Sequence, residues 1–373
     1  MRLLALLVLS VALTAHPPSL LAENPPMLDC PLRDAPFSLS TPLVDVLISP
    51  AARAVLERHL GAVLERLPPQ MTATEPPTFA AILDVARLAA MAGIPQEALA
   101  ALDEALAQVP VTDADRRARC ARYDDERPTF ELPDDRPAVL DFHKINGFHH
   151  GPAVAAASEA VAALAEELGL AVAATDRGGA IHPEVLARFR LVVWNNVSGD
   201  VLTLSQRRAL EDWVKGGGGF LALHGSGGDP VVFWDFYARE LIGARFLGHP
   251  MDPQFQAAWV RIEPSRSGVG ARLAPGFTLV DEWYSFVDNP RAGGADVVAT
   301  LDEGSYRPVG HGGQDLRMGD DHPIVWARCV GRGRALYSAI GHRPEVYRNP
   351  EYLFLLRDAL AWAAGLKRSF CSE

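Results

Sequence analysis

The chain has 373 residues, of which 35 are basic and 46 acidic, so its net charge is −11 with histidine neutral. At roughly 100–200 residues per domain, this length predicts two domains or one large domain with an appendage. A hydrophobic content of 49% with 22% charged residues excludes a disordered chain. The acidic balance offers no basic surface for phosphates, which excludes nucleic acid as a partner.

The first 22 residues differ from the rest. Arg2 precedes an apolar run over 3–15, then Pro17-Pro18 and the small-residue stop Leu20-Leu21-Ala22. This is the pattern of a signal peptide cleaved after Ala22, with Ala15 as a second cleavage position and an uncleaved anchor as the alternative; the run is shorter than the ~20 apolar residues of a spanning helix. The mature protein is therefore expected to be periplasmic or secreted, with no membrane span after cleavage. Export would place Cys30, Cys120, Cys329 and Cys371 in an oxidising compartment. One pairing that would close the N-terminal segment is Cys30 with Cys120. Cys329 lies in a strand-like run over 324–330 and is expected to be a buried thiol.

Residues 23–123 read as a small helical domain. Val55, Leu56, His59, Leu60, Val63, Leu64 and Leu67 form one stripe at three- and four-residue spacing. Phe79, Ile82, Leu83, Ala86 and Ala90 form a second, and Leu99, Leu102 and Leu106 a third, with proline pairs and Gly93-Ile94-Pro95 between them. The acidic, proline-bearing stretch over 124–137 reads as a linker. From 138 the rhythm changes: apolar strands are expected at 138–142, 170–175, 190–194 and 219–223, alternating with helices at 152–168 and 205–215. That alternation predicts an α/β fold, doubly wound around a mainly parallel sheet. Beyond 255 strands dominate, at 258–262, 282–286, 297–301, 324–330 and 335–340. A helix over 351–364 closes a domain of 138–366, and 367–373 is a tail. Gly216-Gly217-Gly218-Gly219 follows a helix and opens a strand, the reverse of a phosphate cradle, so no nucleotide cofactor is expected.

In an open α/β sheet, ligands sit outside the carboxyl ends of the strands. His143, Lys144, Asn146, Phe148, His149 and His150 follow the first strand, Asn195, Asn196 and Ser198 the third, and His224, Gly225, Ser226 and Asp229 the fourth. His249, Asp281, Glu282, Trp283, Tyr284, His322 and His342 bring more of the same chemistry from the second half. Nine of the eleven histidines lie between 143 and 342, which suits proton transfer or metal binding. Histidines 149, 150, 224 and 342 with Glu282 could supply the nitrogen and oxygen ligands of a divalent ion such as zinc or manganese.

Phe148-His149-His150-Gly151, the run from Val193 to Thr203 and Gly219-Phe220-Leu221-Ala222-Leu223-His224-Gly225 resemble the ThuA-like, trehalose-utilisation family. So do Gly248-His249-Pro250, Asp281-Glu282-Trp283-Tyr284, Asn289-Pro290-Arg291, the run from Asp321 to Trp326 and Gly341-His342. The resemblance implies a class I glutamine amidotransferase-like, flavodoxin-like fold over about 138–365, with His224 where amidotransferases carry their cysteine nucleophile. It also implies a sugar substrate: a disaccharide or glycoside whose 3-hydroxyl has been oxidised to a ketone. The residues agree that this is not an amidotransferase, since no cysteine lies between 121 and 328. Ser226 is not in the serine-hydrolase elbow sequence.

The expected activity is acid–base elimination or hydration of the oxidised sugar. His224 or Glu282 would act as base, with His149, His150 or a cation holding the enolate oxygen. His143, Asn195, Asn196, His322 and His342 would bind substrate, and Trp283 and Tyr284 would offer an apolar face to a pyranose ring. The alternatives are a sugar-binding or scaffold module without turnover, and a metal-dependent glycoside or ester hydrolase.

Overall fold

The computed structural model describes residues 27–371; the expected signal peptide, 1–22, lies outside them. The N-terminal part holds five helices, α1 (Leu43–Leu47), α2 (Pro50–Leu64), α3 (Val85–Met91), α4 (Gln96–Ala107) and α5 (Asp113–Cys120). Leu56 and Leu60 of the first expected stripe and Leu102 and Leu106 of the third pack with Phe37, Leu43, Val46, Val85 and Leu88 in a core of their own. The second stripe does not make one helix. A short 3-10 turn, Phe79–Ala81, ends before Asp84, whose carboxylate caps α3 by accepting from the Arg87 amide at 2.7 Å. Helix α5 carries too few apolar residues to show as a stripe. Its start is a reciprocal Thr112–Asp115 capping box, and its end is tied by a disulfide between Cys120 and Cys30.

The rest is one nine-stranded sheet with helices on both faces. In chain order it contains β1 (Ala138–Phe142), α6 (Gly151–Glu167), β2 (Ala171–Thr175), α7 (Pro183–Leu186), β3 (Leu191–Asn195), α8 (Leu204–Lys215) and β4 (Gly219–Leu223). A β-rich half follows: β5 (Phe246–Gly248), β6 (Phe255–Ile262), β7 (Gly276–Glu282), β8 (Ser285–Phe286), β9 (Asp296–Asp302), β10 (Pro323–Val330), β11 (Gly333–Ser338), then α9 (Pro350–Ala363). The sheet order is β2-β1-β3-β4-β11-β10-β9-β6-β7, with β5 and β8 forming a separate pair. From β2 to β11 all neighbours are parallel, and from β11 to β7 all are antiparallel. Strands β1, β3 and β4 are buried along their whole length, as strands covered on both faces must be. Helix α6 packs beside α9, and α7 beside α8.

Two consequences position a site. Because β11 pairs in parallel with β4, His342 after β11 emerges beside His224 after β4. Three strands separate β7 from β11 in the order, yet the Gly341 and Arg343 amides donate to Asp281 on β7 at 2.7 and 3.0 Å. The antiparallel half therefore curls back over the parallel edge and delivers Glu282 to the same place.

The stretch over 124–137 is extended but docked. Asp124 accepts from Lys144 at 2.6 Å and from the Gly178 and Gly179 amides at 3.1 and 3.2 Å, and Phe130 meets Phe189 edge-on at 5.5 Å. Glycine is required at 179, where a Cβ would stand 2.2 Å from the Glu126 carbonyl oxygen. Cys329 is not a buried thiol: it sits on the exposed side of β10 and is bonded to Cys371, which pins the C-terminal tail to the sheet. Replacing both by serine opens a loop of 42 residues and is expected to cost about 4 kcal/mol by the chain-entropy relation. Urea unfolding of the double variant under oxidising conditions checks this, and an unchanged midpoint would mean the tail is held by packing alone.

Candidate functional site

Strands β3 and β4 both end in strained backbone. Asn196 and His224 have positive φ angles of 51° and 32°, a region non-glycine residues avoid unless the surroundings enforce it. The Asn196 side-chain oxygen accepts from the Gly225 amide at 3.2 Å, locking one turn to the other and turning the His224 ring inward, fully buried. Its Nδ1 lies 2.7 Å from the Ala339 carbonyl oxygen. Since a carbonyl only accepts, the proton is on Nδ1 and Nε2 faces the cluster.

Glu282 is the centre of that cluster. Its Oε2 lies 3.4 Å from His224 Nε2 and 3.1 Å from His342 Nδ1, and its Oε1 lies 3.3 Å from His249 Nδ1. The Gln254 amide also donates to Oε1. His224 Nε2 and His342 Nδ1 are 3.2 Å apart. His150 closes the group, its ring 4.7 Å from that of His342 and 5.2 Å from that of His224. Tyr284 packs against His224 with ring centroids 4.3 Å apart and planes tilted by 37°, and Phe148 and Phe255 flank His150 and His342.

The charges follow from this packing. Burial alone would raise the Glu282 carboxyl, but hydrogen bonds from His224 and His342 and the nearby imidazole charge outweigh it and hold it well below the usual range. Burial would lower His224; Glu282 reverses this and raises it. His150 has no such partner: burial first, then the charges of His224 and His342, push it far down, so its ring is neutral. Its buried Nδ1 has no hydrogen-bond partner. Ring nitrogens of His150, His224 and His342 lie within 4.8 Å of one another, a grouping that could hold a metal ion.

Of the residues singled out from sequence, the structure thus brings together His150, His224, Glu282, Tyr284 and His342. It does not bring in His149, which is exposed and folds back over Gly151, nor His143, which lines a separate cleft of about 490 Å³ with Lys144, Arg122 and Pro76-Pro77. Trp283 points away from Glu282, as adjacent residues of an extended chain do; it is buried, donating to the Gln256 carbonyl at 2.8 Å. His322 is held between Glu303 and the Tyr284 carbonyl, both at 2.8 Å. Asn195 is buried on Val154 and Ser158. The buried Ser226 hydroxyl donates to the Trp194 carbonyl at 2.7 Å and is no free nucleophile. All four cysteines are in disulfides. Gln254 and Phe255 were missed, and no sequence signal marks Gln254. His249 was among the histidines expected from the second half, but without a role assigned to it.

The model of the ThuA family, described as trehalose utilisation, matches residues 138–363. No curated protein matches the chain. A ThuA-like protein from Bacteroides uniformis is 22% identical, with 63% of this chain and 95% of that one covered at a TM-score of 0.53. One from Parabacteroides merdae is 16% identical, with 62% and 91% covered at 0.47. At such identities the likeness to these structures is one of fold, and the helical part before residue 138 lies outside the family match.

Asp281 holds the His342 loop through two backbone amides. Asp281→Ala is expected to lower stability by about 2–3 kcal/mol, the usual effect of losing hydrogen bonds to a charged group. Denaturant unfolding measures it, and an unshifted midpoint would show that the loop is fixed by other contacts.

Proposed function

The chain belongs to the ThuA, trehalose-utilisation family, and on that premise we propose that it is an exported carbohydrate-processing enzyme acting on oxidised (3-keto) disaccharides or glycosides. The observation that carries this reading is one buried carboxylate behind two accessible imidazoles. Glu282 reaches His342 with one oxygen and His249 with the other, and the side chains of these histidines are 15% and 26% exposed while that of His224 is 0% exposed. The carboxylate orients the imidazoles, and the imidazoles meet the substrate.

His249 is the base in this reading. Its Nδ1 faces two acceptors, Glu282 Oε1 and the Pro250 carbonyl at 3.0 Å, so the proton sits there and the Nε2 lone pair is free. A ketone at the third sugar carbon acidifies the hydrogen on the second. His249 takes that proton, the electron pair forms the double bond between the first and second carbons, and the glycosidic oxygen leaves with a proton from His342. Hydration of the product runs the same steps backwards with water in place of the leaving group. His224 and Glu282, first expected to act as base, take positioning roles because substrate cannot touch them. Phe148 and Phe255 replace Trp283 as the apolar walls.

Export is supported by the N-terminal run after Arg2 and by two disulfides, the chemistry of an oxidising compartment. N-terminal sequencing of the protein from fractionated cells is expected to begin at Glu23; recovery of Met1 in the membrane fraction would overturn it.

The activity is tested by incubating the full chain with a 3-keto-glycoside and with its unoxidised parent, followed by mass analysis. Only the keto compound is expected to be consumed. His249→Asn is expected to slow consumption on the order of 10²–10⁴-fold, the usual contribution of a general base. Keto-sugar bound but returned unchanged would make the domain a binding module, and cleavage of the parent would make it a hydrolase.

A further inference from the structure

We propose that His224, His342 and Glu282, joined by His150, form a site for one divalent transition-metal ion, zinc being the best match to the donor set. The inference concerns the same cluster as the acid–base reading, but it does not depend on the reaction assigned there.

The geometry comes first. His224 Nε2, His342 Nδ1 and Glu282 Oε2 form a triangle with edges of 3.2, 3.4 and 3.1 Å. Zinc binds nitrogen and oxygen at about 2.0–2.2 Å, which sets tetrahedral donors about 3.3–3.6 Å apart, so the triangle already has nearly the size of one face. A ring nitrogen of His150 lies within 4.8 Å of ring nitrogens of His224 and His342, near enough to become a fourth ligand after a small inward shift. Proton counting points the same way. His224 spends its Nδ1 proton on the Ala339 carbonyl, the outward hydrogen bond that fixes the ring of a metal-ligating histidine. Its Nε2 is the nitrogen that meets the Glu282 oxygen, donating to it when protonated and open to a cation once that proton is displaced. A cation at the centre of the triangle satisfies all three atoms at once. His150 adds a buried imidazole whose Nδ1 bonds to nothing.

Three imidazoles with one carboxylate favour zinc over calcium or magnesium, which take oxygen ligands. The ion would also supply an electrophile beside the imidazoles. Lys144 is paired with Asp124 at 2.6 Å, and Arg291 is held by Asp321 at 3.0 Å. With the ion bound, His342 would serve as a ligand, the ion would supply Lewis-acid stabilisation of the leaving oxygen, which would then take its proton from solvent, and His249 would stay outside the ligand set as the base.

The test uses the full mature chain purified without a histidine tag. Element analysis after desalting, then titration of the chelator-treated protein with cobalt(II) followed by its visible spectrum, reads binding without any turnover. About one ion per chain and the intense bands of a four-coordinate cobalt site are expected. His342→Ala and His150→Ala, each checked for folding by circular dichroism, are expected to lose the bands; His59→Ala, far along the chain on α2, is expected to keep them. If His342→Ala does not fold, Glu282→Gln serves in its place. Wild-type protein that binds no cobalt, or folded His150→Ala and His342→Ala proteins that bind it unchanged, would overturn the site. Stoichiometric binding without consumption of a keto-sugar would leave the metal site standing and remove the proposed reaction. Full consumption by protein that binds no metal would do the reverse.

Discussion

Glu282 carries a negative charge with 1% of its surface exposed. Removing a carboxylate from water costs several kcal/mol even after relaxation, and that cost is offset only where partners surround it in good geometry. His224, His342, His249 and Gln254 are those partners, and each comes from a different place in the chain. Strand β4 must end in a positive-φ turn to aim His224. Strand β11 must pair in parallel with β4 to bring His342 alongside. The antiparallel half must curl back so that β7 reaches that edge, with Asp281 clamping the His342 loop one residue before Glu282. The architecture can thus be read as the set of constraints that lets one charge stay buried.

The strands and their order of appearance were legible because covered parallel strands are short, unbroken apolar runs, and 138–142 and 219–223 were bounded to the residue. The rule that ligands gather at carboxyl ends then found His150, His224 and His342 without knowledge of the topology. What the rule cannot supply is side-chain direction. His149 and His150 are adjacent, and only the second turns inward, because the first falls back over Gly151. Trp283 follows Glu282 and therefore faces the other way. His322 reads as one more site histidine but serves Glu303 and a backbone carbonyl. Gln254 sits in a loop whose place depends on the curl of the sheet, a long-range event with no local signature. Cys329 lies in an apolar strand yet on its exposed side, where the tail can reach it.

The helical part was read as a separate bundle, and it does have its own core. It is nevertheless joined to the site's outer wall. The Thr78 amide donates to the Asn146 carbonyl at 3.0 Å, and Phe79 packs on Phe148 at 5.3 Å; Phe148 in turn meets His150 edge-on at 4.5 Å. The loop after β1 is thus pressed between the bundle on one side and the imidazoles on the other. That loop carries His149 and His150, whose directions no local pattern decides, and the bundle is part of what sets them.

The most direct test of this account is the ionisation of Glu282 itself, followed by infrared difference spectroscopy between the wild type and Glu282→Gln as pH is lowered. The account predicts a carboxylate band, absent from the variant, that persists well below the usual glutamate range for as long as the protein stays folded. A band that converts to the protonated acid at or above that range would show that the imidazoles do not hold the charge, and would contradict the centre of this reading.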